Sequence, residues 1–330
     1  MPDIKFRSEA PLVFSGRVAK DARIFVAGHR GLVGSSIHRA LVAQGYANVI
    51  VRRHEEMDLL DRCAVDSFFS EVQPEYVYLS AARVGGILAN TVRPVDFIIE
   101  NLQIELNMIS AAHKHRVRKL LFLGSSCIYP KFAPQPIREE YLLTGLLEPS
   151  NQPYAIAKIA GIEMINAYRR QYGDQFISVM PTNLYGPGDN FDLQSSHVLP
   201  ALLRKTHEGK VAGAASIEVW GTGTPRREFL HVDDLANACL FLMDCYDDGV
   251  PVNVGTGEEV SIQELATLIK QVVGYAGDLQ FDTTKPDGTP RKLLDVSRLH
   301  GLGWHHQITL REGLERTYEW YLNHRAAGAE

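Results

Sequence analysis

Arg23-Ile24-Phe25-Val26-Ala27-Gly28-His29-Arg30-Gly31-Leu32-Val33-Gly34 runs from an apolar strand straight into three glycines spaced three apart. A helix is predicted to follow over 32–44, with Val33, Ile37 and Leu41 at helical intervals. Strand, glycine turn and helix in that order suit a dinucleotide pyrophosphate. Glycine allows the tight turn, the close approach of backbone to phosphate, and the close packing of helix on strand. The free N–H groups and positive end of the helix attract the negative charge. A glycine triplet alone is equally a turn built from small packing residues. Here it follows the first apolar strand of a chain that goes on alternating.

That alternation sets the fold class. Strands are expected at 48–51, 76–80, 119–124 and 176–180, and helices at 61–72, 94–115 and Gln152–Tyr172. Asp61 suits the N-cap of the first of these helices and Pro94 the opening turn of the second. Short apolar strands alternating with helices specify a parallel sheet covered on both faces. The predicted architecture is therefore a doubly wound α/β sheet of the Rossmann type. After Pro181 the texture changes to shorter elements broken by Gly and Pro, as in Tyr185-Gly186-Pro187-Gly188 and Lys285-Pro286-Asp287-Gly288-Thr289-Pro290-Arg291. Ser261-x-x-Glu264 has the form of a capping box. The expected division is a lead over 1–22, a dinucleotide-binding domain over 23–182, and a smaller mixed α/β substrate portion over 183–330. Residues 229–255 are expected to return and pack on the sheet. Gly209-Lys210-Val211-Ala212-Gly213-Ala214-Ala215-Ser216 reads as a loop near the substrate.

Bulk properties exclude several classes. With 330 residues, 45% hydrophobic and 22% charged, the chain has an ordinary globular composition. A net charge of -5 gives no reason to expect a nucleic-acid or membrane partner. No apolar run approaches the roughly 20 residues that span a bilayer. The polar residues 1–21 lack the apolar centre of a secretory signal. Cys63, Cys127, Cys239 and Cys245 are scattered, without the spacing of a disulfide framework or zinc site. A reducing cytoplasm and no metal are expected.

Tyr154-Ala155-Ile156-Ala157-Lys158 carries the chemistry. Residues four apart share a helix face, and an ammonium beside a phenol favours the phenolate. Such a phenol serves a carbonyl while a nicotinamide delivers hydride to its carbon. Ser125-Ser126-Cys127 follows a strand and offers a hydroxyl to the same carbonyl. Other strands end at Ser80-Ala81-Ala82 and Leu123-Gly124, where ligands of such sheets collect. Selectivity for NADP is read from Arg30, Arg52 and Arg53, cations suited to a 2′-phosphate at a place where NAD sites usually carry an acid. Glu55 and Glu56 follow closely, and plain surface charge is the other reading. Asp58 and Leu59 are placed to meet the adenine.

Gly-x-x-Gly-x-x-Gly, the post-strand serine and Tyr-x-x-x-Lys resemble the extended short-chain dehydrogenase/reductase family, most of whose members act on nucleotide sugars. Gly124-Ser125-Ser126-Cys127-Ile128-Tyr129-Pro130, Pro181-Thr182-Asn183-Leu184-Tyr185-Gly186-Pro187, Arg227-Glu228-Phe229-Leu230-His231-Val232-Asp233-Asp234 and the segment from Lys285 to Lys292 look like the GDP-L-fucose synthase family, over roughly 23–322. That resemblance implies two epimerisations, at C3 and C5 of GDP-4-keto-6-deoxy-D-mannose, then reduction at C4 by NADPH. It implies Cys127 as base, His197 as acid on the opposite face, and Tyr154 with Lys158 and Ser125 at O4. It implies a cofactor site of Gly28, His29, Arg30, Gly31, Leu32, Val33, Gly34, Arg52, Arg53, Asp58, Leu59, Ala81, Leu123, Gly124, Ser125, Ser126, Tyr154, Lys158, Pro181, Thr182, Asn183, Leu184 and His197. Lys205, Trp220, Arg227 and Asp287 match substrate-contacting positions, with Arg204 and Arg226 as neighbouring candidates. A homodimer through the helices 94–115 and 152–172 is implied as well.

The chemistry is coherent. A C4 ketone acidifies the C3 and C5 hydrogens, and inversion is served by one group on each face. From the residues alone, Cys127 is equally a packing residue and His197 a helix-start residue touching backbone. Three other readings stay open: an NAD-retaining nucleotide-sugar 4-epimerase or dehydratase, a single-function GDP-4-keto-sugar epimerase or reductase, and a dinucleotide sensor. A dehydratase needs an acidic pair that Ser125-Ser126-Cys127-Ile128 lacks, and a sensor has no use for proton-transfer groups.

Overall fold

The computed structural model describes residues 16–285 and 287–325. Most of the expected lead, 1–15, lies outside the described residues, as does Pro286. The elements run β1 (Arg23–Ala27), α1 (Leu32–Ala43), β2 (Asn48–Ile50), α2 (Arg62–Val72), β3 (Tyr76–Leu79), α3 (Ile87–Val92), α4 (Pro94–Lys114), β4 (Lys119–Leu123), α5 (Gln152–Tyr172) and β5 (Gln175–Pro181). They continue with β6 (Asn183–Tyr185), α6 (Val198–Ala212), β7 (Ser216–Trp220), β8 (Arg226–Arg227), β9 (Phe229–His231), α7 (Val232–Cys245), β10 (Val252–Val254), β11 (Val260–Ser261), α8 (Ile262–Val273), β12 (Asp278–Asp282), β13 (Arg291–Lys292), α9 (Ser297–Gly301) and α10 (Leu310–Arg325).

Six strands form one sheet in the order β10-β5-β4-β3-β1-β2, with every neighbouring pair parallel. The winding reverses between β1 and β3, the crevice where such sheets bind ligands. Alternate residues serve opposite faces. In β1, Ile24 and Val26 join the core under α1 and α7, while Phe25 and Ala27 join the core under α2, α4 and α5. Both faces are buried, so these strands read as continuous apolar runs rather than as alternating ones. A third core, built on Leu203, Val219, Leu265 and Leu314, holds together α6, β7, α8 and α10.

Local signals explain several boundaries. The Asp61 side chain accepts from the backbone N–H groups of Cys63 (2.8 Å) and Ala64 (3.2 Å) at the start of α2. Ser261 and Glu264 form the reciprocal capping box of α8. The segment 209–216, expected as a loop, is mostly regular. Helix α6 continues through Gly209 and stops only at Gly213, whose φ is 60°. Glycine is needed at 209 for space, because a Cβ there would lie 2.5 Å from Ile217.

The described end of the lead is anchored. The Asp244 carboxylate, on α7, accepts from the backbone N–H groups of Gly16 (3.2 Å), Arg17 (2.7 Å) and Val18 (3.3 Å). No helix among the described residues is long and apolar enough to cross a membrane. Asp244→Ala is expected to destabilise the protein by about 1–3 kcal/mol, because these amides lose their acceptor. Urea unfolding measures it, and a loss under about 0.5 kcal/mol would mean that water replaces the carboxylate without cost.

Candidate active site

The glycine turn is built by close contact. Gly28 has φ 87°, and a Cβ on it would lie 2.8 Å from the Ala81 backbone at the end of β3. A Cβ on Gly34 would strike the Gly28 carbonyl. The Gly31 N–H donates to the Gly28 carbonyl at 3.0 Å, and Gly31 then caps α1 with no side chain over the helix end. The turn therefore presents bare backbone N–H groups at a helix start, which fits a pyrophosphate. His29, within it, has its pKa lowered by burial and by neighbouring His38 and Arg30. Leu32 and Val33 begin α1. Leu123, Gly124, Ser125 and Ser126 leave β4 at the same sheet edge as Ala81, and Pro181 ends β5 there. The Thr182 N–H donates to the Val254 carbonyl (3.0 Å). Asn183 Nδ2 donates to the Glu228 carbonyl (2.8 Å), and Leu184 pairs with Leu230.

The three arginines expected to read a 2′-phosphate are exposed but engaged. Arg53 pairs with Glu56 at 3.0 Å, Arg30 lies 3.9 Å from Glu55, and Arg52 lies over the Phe68 ring at 5.1 Å. The acidic residues after β2 thus face these cations at rest. Asp58 accepts from the Leu60 N–H (2.9 Å), and Leu59 packs partly into the core.

At the end of β4 a single 3₁₀ turn, Ser126–Ile128, is capped by Ser125, whose Oγ accepts from the Cys127 N–H at 3.2 Å. Ser125 and Cys127 therefore sit side by side. Asn151 Nδ2 lies 3.3 Å from Cys127 Sγ, and Lys292 Nζ 3.6 Å. These neighbours are polar, unlike those of a packing cysteine. Tyr154 is on the first turn of α5, close enough for Ser125 to hydrogen-bond the phenol and for Cys127 to act on it electrostatically.

From the four-residue spacing, a phenol acidified by Lys158 is expected; the structure shows the reverse. Enclosure of the Tyr154 hydroxyl is the largest influence, with Cys127 and Glu105 adding to it. They push its pKa well above the ordinary phenol value, against the Ser125 hydrogen bond. Lys158 Nζ lies 6.0 Å from the Tyr154 ring centroid and turns to the Glu105 carboxylate at 3.3 Å. These influences favour the neutral phenol over the phenolate.

His197 is the N-cap residue of α6, as the helix-start reading has it, but its side chain makes no capping bond. The residue is exposed overall, yet protein around the ring desolvates it. That desolvation, and then the charge of Lys292, lower its pKa. The Gly86 N–H donates to the Ser195 carbonyl at 3.0 Å, tying this segment to the loop after β3.

In the C-terminal half, Trp220 is 56% exposed. Two ammonium groups approach its ring, Lys205 at 5.2 Å and Lys285 at 5.6 Å from the centroid. Asp287 holds its own loop down, accepting from the Thr222 N–H at 2.7 Å and the Thr222 hydroxyl at 2.9 Å. Arg226 is bound by Glu259 (2.9 Å) and Glu264 (3.4 Å). Arg204 pairs with Glu208 at 2.7 Å. Arg227 has no ion pair among the described residues; burial lowers its pKa and Asp287 opposes that. Of the neighbouring cations, Arg227 is the one available to an anion. Lys292 lies beside it, in register on the adjacent strand. The sequence reading assigned no role to Lys292, Asn151 or Glu105. Lys292 lies within a motif quoted for the resemblance, and the other two carry no local signal.

Residues 24–255 match the NAD dependent epimerase/dehydratase family. The protein GDP-L-fucose synthase 1 of Arabidopsis thaliana is 62% identical over 303 residues, 92% of this chain and 94% of that protein. The GDP-L-fucose synthase of Escherichia coli is 56% identical over 309 residues, 91% of this chain and 96% of that protein. A GDP-L-fucose synthetase from Naegleria fowleri, solved bound to NADP, matches with a TM-score of 0.86 at 30% identity, covering 93% of this chain and 95% of that one.

Lys292→Met is expected to slow alkylation of Cys127 at neutral pH by roughly threefold or more, because an ammonium 3.6 Å from Sγ steadies the sulfur as it attacks. Lys292→Arg should keep most of the rate. Peptide mass spectrometry separates Cys127 from the exposed Cys63, and equal rates in all three proteins would dismiss the contact as inert.

Proposed function

The chain belongs to the NAD dependent epimerase/dehydratase family and, within it, to the GDP-L-fucose synthases, and we propose that it converts GDP-4-keto-6-deoxy-D-mannose to GDP-L-fucose. C3 and C5 are inverted first, and the C4 ketone is then reduced with NADPH. The observation that carries this reading is the meeting of Cys127, Ser125 and Tyr154 at one strand end, with Lys292 3.6 Å from the sulfur. A thiol that only filled space would have no use for a cation and a neutral phenol beside it.

Each residue then has a task. Ser125 and Tyr154 hydrogen-bond O4 of the ketone and stabilise the enolate oxygen as hydrogens leave C3 and C5. Cys127, its sulfur contacted by Lys292 and Asn151, takes those protons. His197 returns a proton on the other face. NADPH, when bound, supplies the hydride to C4, and Tyr154 gives its phenolic proton to O4. Gly28, Gly31 and Gly34 would hold the pyrophosphate, and Arg30, Arg52 and Arg53 the 2′-phosphate. Arg227, Lys205, Trp220 and Asp287 would hold the GDP portion, by charge-assisted bonds and ring contact. In this division 23–182 with 229–255 serves the dinucleotide, and the rest of 183–330 serves the sugar nucleotide. A thiol base suits a reducing cytoplasm.

Purified protein with NADPH and GDP-4-keto-6-deoxy-D-mannose in deuterated water should consume NADPH and carry deuterium into C3 and C5. Cys127→Ser should cut the exchange by about 10²-fold or more while binding NADPH normally. Tyr154→Phe should still exchange deuterium but reduce about 10²-fold more slowly. Undiminished exchange in the first variant, or full reduction in the second, would remove that residue from its role.

A homodimer through α4 and α5 is part of the same reading. Val95 (66% exposed), Ile99 (57%) and Leu106 (50%) lie along α4 at helical spacing, and Ile156 (40%) lies on α5. Light scattering is expected to give twice the chain mass and Ile99→Asp to halve it; a wild-type monomer would refute this interface.

A further inference from the structure

Beneath the reacting groups lies a carboxylate that the proposed chemistry does not use. Glu105 is on α4 and is 1% exposed. It faces Lys158 of α5, which is equally buried, with 3.3 Å between Oε1 and Nζ. The two groups are within hydrogen-bond distance but poorly aligned, so the contact is chiefly one of charge. The neighbourhood is shaped to admit it. Gly161 lies one turn beyond Lys158 on the same face of α5. A Cβ there would come within 2.9 Å of Glu105 Oε2 and 2.6 Å of Phe122 Cζ. The Phe122 ring completes the enclosure, 4.6 Å from Lys158 Nζ.

Burying a charge pair this completely is a poor way to gain stability. Replacing such a pair with uncharged groups of similar size is often neutral or stabilising. The pair therefore calls for another explanation, and the position of Lys158 one turn after Tyr154 supplies one. We propose that Glu105 is a positioning residue for the reduction, holding Lys158 charged and in place beneath Tyr154 so that the phenol gives up its proton to the substrate oxygen. The proposal rests on the reductase reading above.

The groups that act on this pair are few. Glu105 comes from α4, Lys158 and Tyr154 from α5, and Cys127 from the turn after β4 acts through Tyr154. Burial pushes Glu105 up to about 7, with Lys158 opposing. Burial also lowers Lys158, with Glu105 opposing. Glu105 is thus what keeps the ammonium from losing its proton to the apolar surroundings, and it does so best where it is itself ionised.

Two measurements on Glu105→Gln and Glu105→Met, the second carrying no hydrogen-bond donors, test this. The first needs no substrate. An acid whose folded pKa is raised contributes stability below its unfolded value of 4.5, and this contribution is lost as pH rises to about 7. Relative to wild type, both variants should therefore gain melting temperature between pH 5 and pH 7. The second follows NADPH consumption against pH. Without Glu105 the lysine loses its proton at lower pH, so the alkaline limb of kcat should move down by about one unit, roughly tenfold on that limb. Acid-side rates should change far less. Variants that gain no melting temperature with pH, or that lose activity by one factor at every pH, would show Glu105 to be a packing residue and overturn the proposal. If wild-type protein reduced no GDP-4-keto sugar, the reductase reading would fall, and this proposal with it. The melting profiles would still report whether the carboxylate carries its charge against burial.

Discussion

The geometry of the cleft depends on one buried carboxylate. Glu228 is fully enclosed and accepts from the backbone N–H groups of Thr256 (2.7 Å), Gly257 (2.8 Å) and Leu294 (3.0 Å). Its backbone carbonyl accepts from the side chains of Thr182 (3.3 Å) and Asn183 (2.8 Å). Segments distant in sequence are thereby fixed to one point: the exit of β5, the exit of β10, and the strand carrying Lys292. A carboxylate out of water survives only when donors surround it, so the segments and the charge require one another. Gly255 is part of the same constraint, since a Cβ there would overlap the Glu228 carboxylate. Through this hub the C-terminal half delivers Lys292 and Arg227 to a site whose thiol and phenol belong to the first half.

Most of the architecture was legible in the sequence because the signals were local. Ile24 to Ala27 is apolar without interruption because both faces of the strand are buried, and Asp61 and Ser261 announce helix starts by the bonds they go on to make. The loop expected over 209–216 shows the limit. Glycine at 209 looks like a break, yet it sits inside α6 because Ile217 and Tyr275 crowd that face, a fact written in residues well downstream. The site divides along the same line. Ser125, Cys127 and Tyr154 announce themselves through short motifs, and the structure brings them together. Glu105 and Asn151 gain meaning only from what folds against them. The choice between Arg226 and Arg227 was likewise undecidable from neighbouring letters; what the fold adds is that Glu259 and Glu264 occupy the first, while the second has no ion pair among the described residues.

Charge is distributed in the centre with economy. Tyr154 is kept neutral, and His197 is biased toward neutrality. The cations are placed instead at Lys158, Lys292 and Arg227. An interior of low polarity amplifies each of them, so in the proposed reaction a few ammonium and guanidinium groups would serve an oxygen, a sulfur and a diphosphate. The same placement explains why Lys158 does not pull the Tyr154 pKa down in this structure. In the enclosed state of the hydroxyl, desolvation outweighs the lysine, whose nearest partner is Glu105.

The chain has three tryptophans. Trp304 is sealed in the interior with its indole N–H on Asn237 at 2.8 Å, and Trp320 stacks on His324 at 4.2 Å. Of the three, Trp220 stands exposed between two ammonium groups, where the proposed function seats the sugar nucleotide. Anything that settles there strips water from that indole and disturbs its flanking charges, while the other two rings keep their surroundings. The protein's own ultraviolet emission thus contains a gauge of cleft filling, and it requires no label.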